Sequence, residues 1–122
     1  MKIRNTCKAG FTLVEIMIVV AIIGLLAAIA IPNFIKARTT SQQNACINNL
    51  RQFDGAIQQW ALENKKGTSD AVASTDITPY VKLDSSGNVP SCPSSGTYTF
   101  VDVSTPPTCS KSALTLTPHK LP

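Results

Sequence analysis

Glu15 is the residue whose type and place most demand a chemical explanation. It lies in residues 11–31, a run of 21 in which only Thr12 and Glu15 are distinctly polar. A charge at the centre of a bilayer helix costs about 2.5–3.5 kcal/mol on insertion scales, so an acid there points to a cationic partner. The other candidates for chemistry are Cys7, Cys46, Cys92, Cys109 and His119. Cysteines in this number fit an exported, oxidising setting. With Cys7 at the extreme N-terminal end set aside, three remain, so any one bridge leaves a thiol over.

Cys92 and Cys109, with 16 residues between them, are the preferred disulfide. In the chain-entropy model a loop of that size is stabilised by about 3 kcal/mol. Cys46 could instead bridge to either, and all three pairings stay open; unpaired, it reads as a buried thiol. A zinc site from Cys46, Cys92, Cys109 and His119 is formally available. Structural zinc sites usually show short-range pairs such as Cys-x-x-Cys, and their absence speaks against a metal. His119, in "TPHKLP", reads as a solvated surface residue. Asp84, Ser86 and Asn88 in "DSSGN" offer alternating oxygens, as in part of a calcium loop, but no later bidentate Glu completes it. A polar β-turn is the simpler reading. One histidine, no nucleophile elbow and no phosphate-cradling glycine loop exclude a recognisable enzyme.

The elements that would position these residues follow from the pattern. At about 1.5 Å per residue, residues 11–31 make a helix of roughly 32 Å, the thickness of a bilayer core. Lys2, Arg4 and Lys8 precede it and would hold that end in the cytoplasm, with the carboxy-terminal part exported. The formal charge of +4 therefore misleads: without residues 1–10, eight basic face seven acidic residues. No basic stripe with interleaved aromatics supports nucleic-acid binding. Beyond Pro32, Cys46, Leu50, Phe53, Ile57 and Trp60 fall at spacings of 4, 3, 4 and 3, one apolar stripe of a helix. The helix is expected to run to about Asn64, bent at Pro32, and to stop at Gly67, with Lys65 and Lys66 at its negative dipole end. Residues 69–75 read as a loop. "STDITPYVKL" predicts a turn or two of helix capped by Ser74 or Thr75, and Pro79 is tolerated in its first turn. "TYTFVDV" (residues 97–103) and "ALTLT" (residues 113–117) alternate as two short strands. A two-stranded ribbon is marginal alone and needs the helix stripe beneath it.

The residues "KAGFTLVEIMIVVAIIGLLAAIAIPNF" resemble the N-terminus of type IV pilins and type II secretion pseudopilins. Gly10, Phe11, Thr12, Leu13, Glu15 and Pro32 match the signature, a short basic leader ending in Gly, then Phe-Thr-Leu-x-Glu and an apolar helix. The resemblance implies cleavage by prepilin peptidase between Gly10 and Phe11, and methylation of the new Phe11 terminus. It also implies that Glu15 of one subunit pairs with the terminal amine of a neighbour, setting the register of a filament. Gly24 and Pro32 would permit a kink or local melting of the helix.

The expected architecture is α+β: leader 1–10, transmembrane and filament-core helix 11–31, amphipathic helix 32–66 and a small head 67–122 carrying a β-hairpin. The expected function is a structural subunit of a homo-oligomeric helical filament. The small head favours a periplasmic pseudopilus for protein export over a surface type IV pilus for adhesion, twitching or DNA uptake. Partners implied by the resemblance are prepilin peptidase, an inner-membrane assembly platform and a cytoplasmic ATPase. The precursor would be a single-pass inner-membrane protein, and the mature filament periplasmic or on the cell surface. No cofactor is expected. Major pseudopilins carry calcium in the head, but their ligands do not map onto this sequence. The competing class is a small secreted binding module, cut after Ala30 by an ordinary signal peptidase. Against it, the apolar run is too long for an h-region of about 7–15 residues.

Overall fold

A computed structural model describes residues 9–113 and 119–122. Lys2, Arg4, Cys7 and Lys8 lie outside the described residues, as do residues 114–117 of the second expected strand. The chain separates into two units, Met1–Lys36 and Ala37–Pro122. The order of elements is α1 (Leu13–Glu63), α2 (Ser74–Ile77), a 3-10 turn (Thr78–Tyr80), β1 (Tyr98–Thr99) and β2 (Thr108–Cys109). The α+β class expected from sequence holds: one long N-terminal helix, then a small part with a two-stranded antiparallel sheet.

Among the described residues the first unit is helix from Leu13 onward. Its onset is a reciprocal cap. The Thr12 hydroxyl oxygen accepts from the Glu15 amide at 3.2 Å, and the Glu15 carboxylate accepts from the Thr12 amide at a long 3.5 Å. Two of the four orphan amides of the first turn are thereby met, by the Thr-x-x-Glu spacing of a capping box. The helix continues unbroken through Gly24 and Pro32. Proline lacks the donor for the fourth carbonyl back, so the Ala28 carbonyl loses its usual partner. One residue on, Asn33 adds its side-chain amide to the Ile29 carbonyl at 3.2 Å.

The second unit is built on the stripe the spacing predicted. Cys46, Leu50, Phe53, Ile57 and Trp60 are all buried, joined by Ala56 and Ala61. Val72, Ile77, Val81, Cys92, Val103 and Cys109 complete the core. Phe53 is its centre: Tyr98 and Phe100 meet its ring edge-on, at centroid distances of 4.8 and 5.5 Å. Such pairs add about 0.5–1.5 kcal/mol each beyond area burial. Gln58 reaches across and donates to the Val103 carbonyl at 3.0 Å.

Several boundaries differ from expectation for identifiable reasons. The helix stop is Lys65 rather than Gly67: Lys65 takes φ 52°, and the Lys66 amide reaches the Ala61 carbonyl at 2.9 Å. The Lys65 amide bonds the Leu62 carbonyl at 3.4 Å, completing a Schellman closure on a non-glycine residue. The short helix is capped by Ala73, not Ser74 or Thr75, because the Asp76 carboxylate takes the Ala73 amide at 2.9 Å. The partner of β1 is Thr108–Cys109, within the stretch read as connection, in register Tyr98↔Cys109 and Thr99↔Thr108. Residues 69–75 are also more than loop. Ala71 bridges Asp102, and the Val72 amide bonds the Val101 carbonyl at 3.1 Å, so the far end of the alternating segment pairs there.

Candidate functional site

Among the described residues the first unit presents an exposed apolar surface. Phe11 is 82% exposed and Leu13 78%, and Ile18, Ile22, Leu25 and Ile29 are all more than half exposed. Soluble monomers rarely show apolar patches beyond a few hundred Å2, so this helix requires lipid or other helices around it. Among the described residues one helix, α1, is long and apolar enough to cross a membrane. At its start, Ala9, Gly10, Phe11 and Glu15 line one open recess. The structure therefore brings the Gly10–Phe11 junction and the Glu15 carboxylate together at the helix head. Gly24 is open on all sides: a Cβ there would meet nothing within 4 Å.

The sequence of this helix is similar to that of known proteins. Residues 5–31 fit the family model for the prokaryotic N-terminal methylation motif. The type IV major pilin protein PilA of Myxococcus xanthus is 62% identical over 62 residues, which cover 51% of this chain and 28% of that protein. The chain carries a pilin-type N-terminus. A type IV major fimbrial protein FimA of Dichelobacter nodosus is 48% identical over 63 residues, 52% of this chain and 40% of the relative. The type II secretion system core protein G of Klebsiella pneumoniae is 33% identical over 59 residues, 48% of this chain and 42% of the relative. The matches thus span well under half the length of these curated relatives. No solved structure matches the chain.

The second unit holds a different cluster. Cys46, Cys92, Cys109 and His119 are all buried, and their ligand-type atoms all lie within 4.8 Å of one another. In this structure Cys46, Cys92 and Cys109 stand as free thiols. His119 is not a solvated residue, being 1% exposed. Its backbone amide bonds the Lys111 carbonyl at 3.3 Å, and its Nδ1 lies 3.5 Å from the Cys92 sulfur. Burial first, and Lys111 second, hold the imidazole pKa below its ordinary value. Burial pushes the Cys46 thiol up to about 12, against the Tyr98 hydroxyl, which donates to its sulfur at 3.5 Å. Cys92 behaves oppositely. Burial raises it, but the backbone amides of Ser94 and Gly96, followed by the neighbouring thiols, outweigh that and draw it below its usual value.

Sequence reasoning missed two members of this neighbourhood, Gly96 and Tyr98. A Cβ on Gly96 would lie 2.6 Å from the Cys109 sulfur and 3.1 Å from that of Cys92, so only glycine lets the backbone approach both. The available signal was "CPSSG", a proline-and-glycine turn following a cysteine. The Asp84 carboxylate accepts the amides of Ser86 and Asn88 at 2.8 and 2.9 Å, and Gly87 adopts φ 77°, as the expected turn requires.

Proposed function

We propose that the chain is a structural subunit of a type IV pilus-like helical filament, held in the membrane by α1 until it is assembled. The observation that carries this is the pilin-type N-terminus on a helix whose apolar residues are bare. In this reading residues 1–10 are a leader that prepilin peptidase removes between Gly10 and Phe11, and Phe11 becomes the methylated terminus. The new ammonium lies one helical turn from Glu15 on the same face. Residues 11–31 cross the inner membrane and then form the filament core, residues 32–66 continue as the amphipathic helix, and residues 67–122 make the surface head. Apolar helices bundle readily in many registers; a carboxylate that must meet a neighbouring amine disfavours all but one. Buried ion pairs are best attested in this role, as determinants of register. Gly24 and Pro32 supply the weak point at which the helix can kink or unwind during packing. An inner-membrane platform and a cytoplasmic ATPase would drive assembly.

Of the two filament systems, identity over the shared segment is greater to the Myxococcus pilin than to core protein G, 62% against 33%. That identity supports a surface pilus and the small head supports a periplasmic pseudopilus, so both readings go to the test. Shearing and electron microscopy of producing cells test both. The chain is expected in long extracellular fibres for a pilus, or in short periplasmic assemblies with secretion machinery for a pseudopilus. Recovery solely as a soluble polypeptide beginning at Ile31 would contradict both and support the secreted binding module.

A further inference from the structure

We propose that Cys46, Cys92, Cys109 and His119 form a structural zinc site that ties the second unit together. Three of the four residues lie beyond α1, and the inference stands independently of the filament reading.

The donor set comes first. Three thiols and an imidazole, each nine-tenths or more buried, have ligand-type atoms all within 4.8 Å of one another. Tetrahedral zinc, with Zn–S of about 2.3 Å and Zn–N of about 2.0–2.1 Å, sets neighbouring ligand atoms roughly 3.5–3.8 Å apart. The Cys92 sulfur and His119 Nδ1 are already 3.5 Å apart. A Cys3His set is one of the standard closed structural zinc shells, and soft sulfur donors disfavour calcium or magnesium.

The surroundings are those of a ligand shell. The Gly96 backbone lies so close that a Cβ there would meet the Cys109 and Cys92 sulfurs at 2.6 and 3.1 Å, and Tyr98 donates its hydroxyl to the Cys46 sulfur at 3.5 Å. Asn49 in turn donates to the Tyr98 oxygen at 3.1 Å, fixing that ring. Partners of this kind hold metal-binding side chains in a fixed orientation. A disulfide explains less: any one bridge uses two sulfurs and leaves the third thiol and the imidazole buried against it. Zinc uses all four.

Topology explains why no short-range cysteine pair appears. Cys46 stands on α1, Cys92 opens the "CPSSG" turn, Cys109 ends β2, and His119 comes from the carboxy-terminal segment. Metal would therefore join four stretches distant in sequence, in a unit whose sheet, among the described residues, is two residues long on each strand. A ribbon so short is marginal alone, and small cores commonly need a metal or disulfide staple.

The test is metal and thiol analysis of the full chain, purified in detergent under non-thiol reductant from zinc-replete cells. The expected result is about one zinc per chain. The three sulfurs should resist alkylation until a chelator is added, and cobalt(II) exchanged into the protein should show tetrahedral d–d and thiolate charge-transfer bands. His119→Gln and Cys109→Ser should each lower zinc retention more than tenfold at equal chelator. His119→Cys, which restores a fourth soft ligand, should recover it and so separates ligand loss from misfolding. Metal-free protein with three reactive thiols overturns the proposal. So does metal-free protein whose head peptides, isolated without reductant, are two hydrogens lighter through a disulfide. Zinc retained equally by both ligand-removing variants overturns it as well.

Discussion

Replacing Glu15 by glutamine separates two jobs that alanine would remove together. In the structure the Glu15 side chain caps the helix by accepting the Thr12 amide at 3.5 Å, while its own amide is held by the Thr12 hydroxyl at 3.2 Å. Glutamine keeps an acceptor oxygen at this position of a capping box, so the helix start survives. The bond lost in Glu15→Ala is long and exposed, and contributes no more than about 0.5 kcal/mol. Loss of one partner from a buried ion pair costs far more, about 3–5 kcal/mol. At 1.4 kcal/mol per tenfold, that is more than a hundredfold in each subunit contact. The assay is filament yield from sheared cells against the membrane-held pool, with circular dichroism of the detergent-solubilised chain as the control. Both Glu15→Gln and Glu15→Ala are expected to accumulate in the membrane with near-parental helix content and to give almost no filaments. Parental filament yield from Glu15→Gln would refute the reasoning, and would leave capping as the role of the residue.

Three other outcomes follow. Phe53→Ala, which empties the centre of the core and removes both edge-on ring contacts, should destabilise the second unit by about 3–5 kcal/mol. Thermal unfolding followed by tryptophan fluorescence should show a midpoint lower by more than about 10 °C. Gly96→Ala drives a methyl group to within 2.6 Å of the Cys109 sulfur, so it should loosen the cluster and raise alkylation of the three thiols severalfold, while leaving helix content unchanged. Tyr80→Phe should raise the pKa of Glu63, which is held below its ordinary value first by the Tyr80 hydroxyl at 2.6 Å and then by Gln59. A depressed carboxylate stabilises the fold above its unfolded pKa and loses that contribution as pH falls through the folded one. The variant should therefore show less acid-dependent loss of stability, and NMR titration of the Glu63 side chain reads the shift directly.

The long helix was legible because it is written in periodicity: bare apolar residues in the first unit, then a stripe at spacings of 4, 3, 4 and 3. The start of the helix was legible as a pilin-type motif, but its second meaning, the Thr12–Glu15 cap, went unread because the acid drew attention as a membrane anomaly. Strand pairing was less accessible. Strands of two residues, Tyr98–Thr99 and Thr108–Cys109, are too short to carry a period of two, and "ALTLT" offered a stronger alternation further on. Glycine marks the commonest helix stop, so Gly67 hid the left-handed Lys65 two residues earlier. The sulfur and imidazole cluster was least visible. Metal-site motifs are recognised by ligands close in sequence, whereas these four converge only through packing of the helix, a turn, a strand end and a terminal segment. His119 looked solvated because its neighbours in sequence are polar or proline. Its surroundings in the fold are Cys92 and the Lys111 backbone.

The account as a whole depends on how the mature polypeptide begins. Intact-mass and terminal-peptide mass spectrometry of the chain recovered from membranes reads this in one measurement. Removal of residues 1–10, with a single added methyl group on the Phe11 amine, is the predicted result. A mature terminus at Ile31, or a retained leader in assembled material, would contradict the claim that this chain is processed and polymerised as a pilin-type subunit.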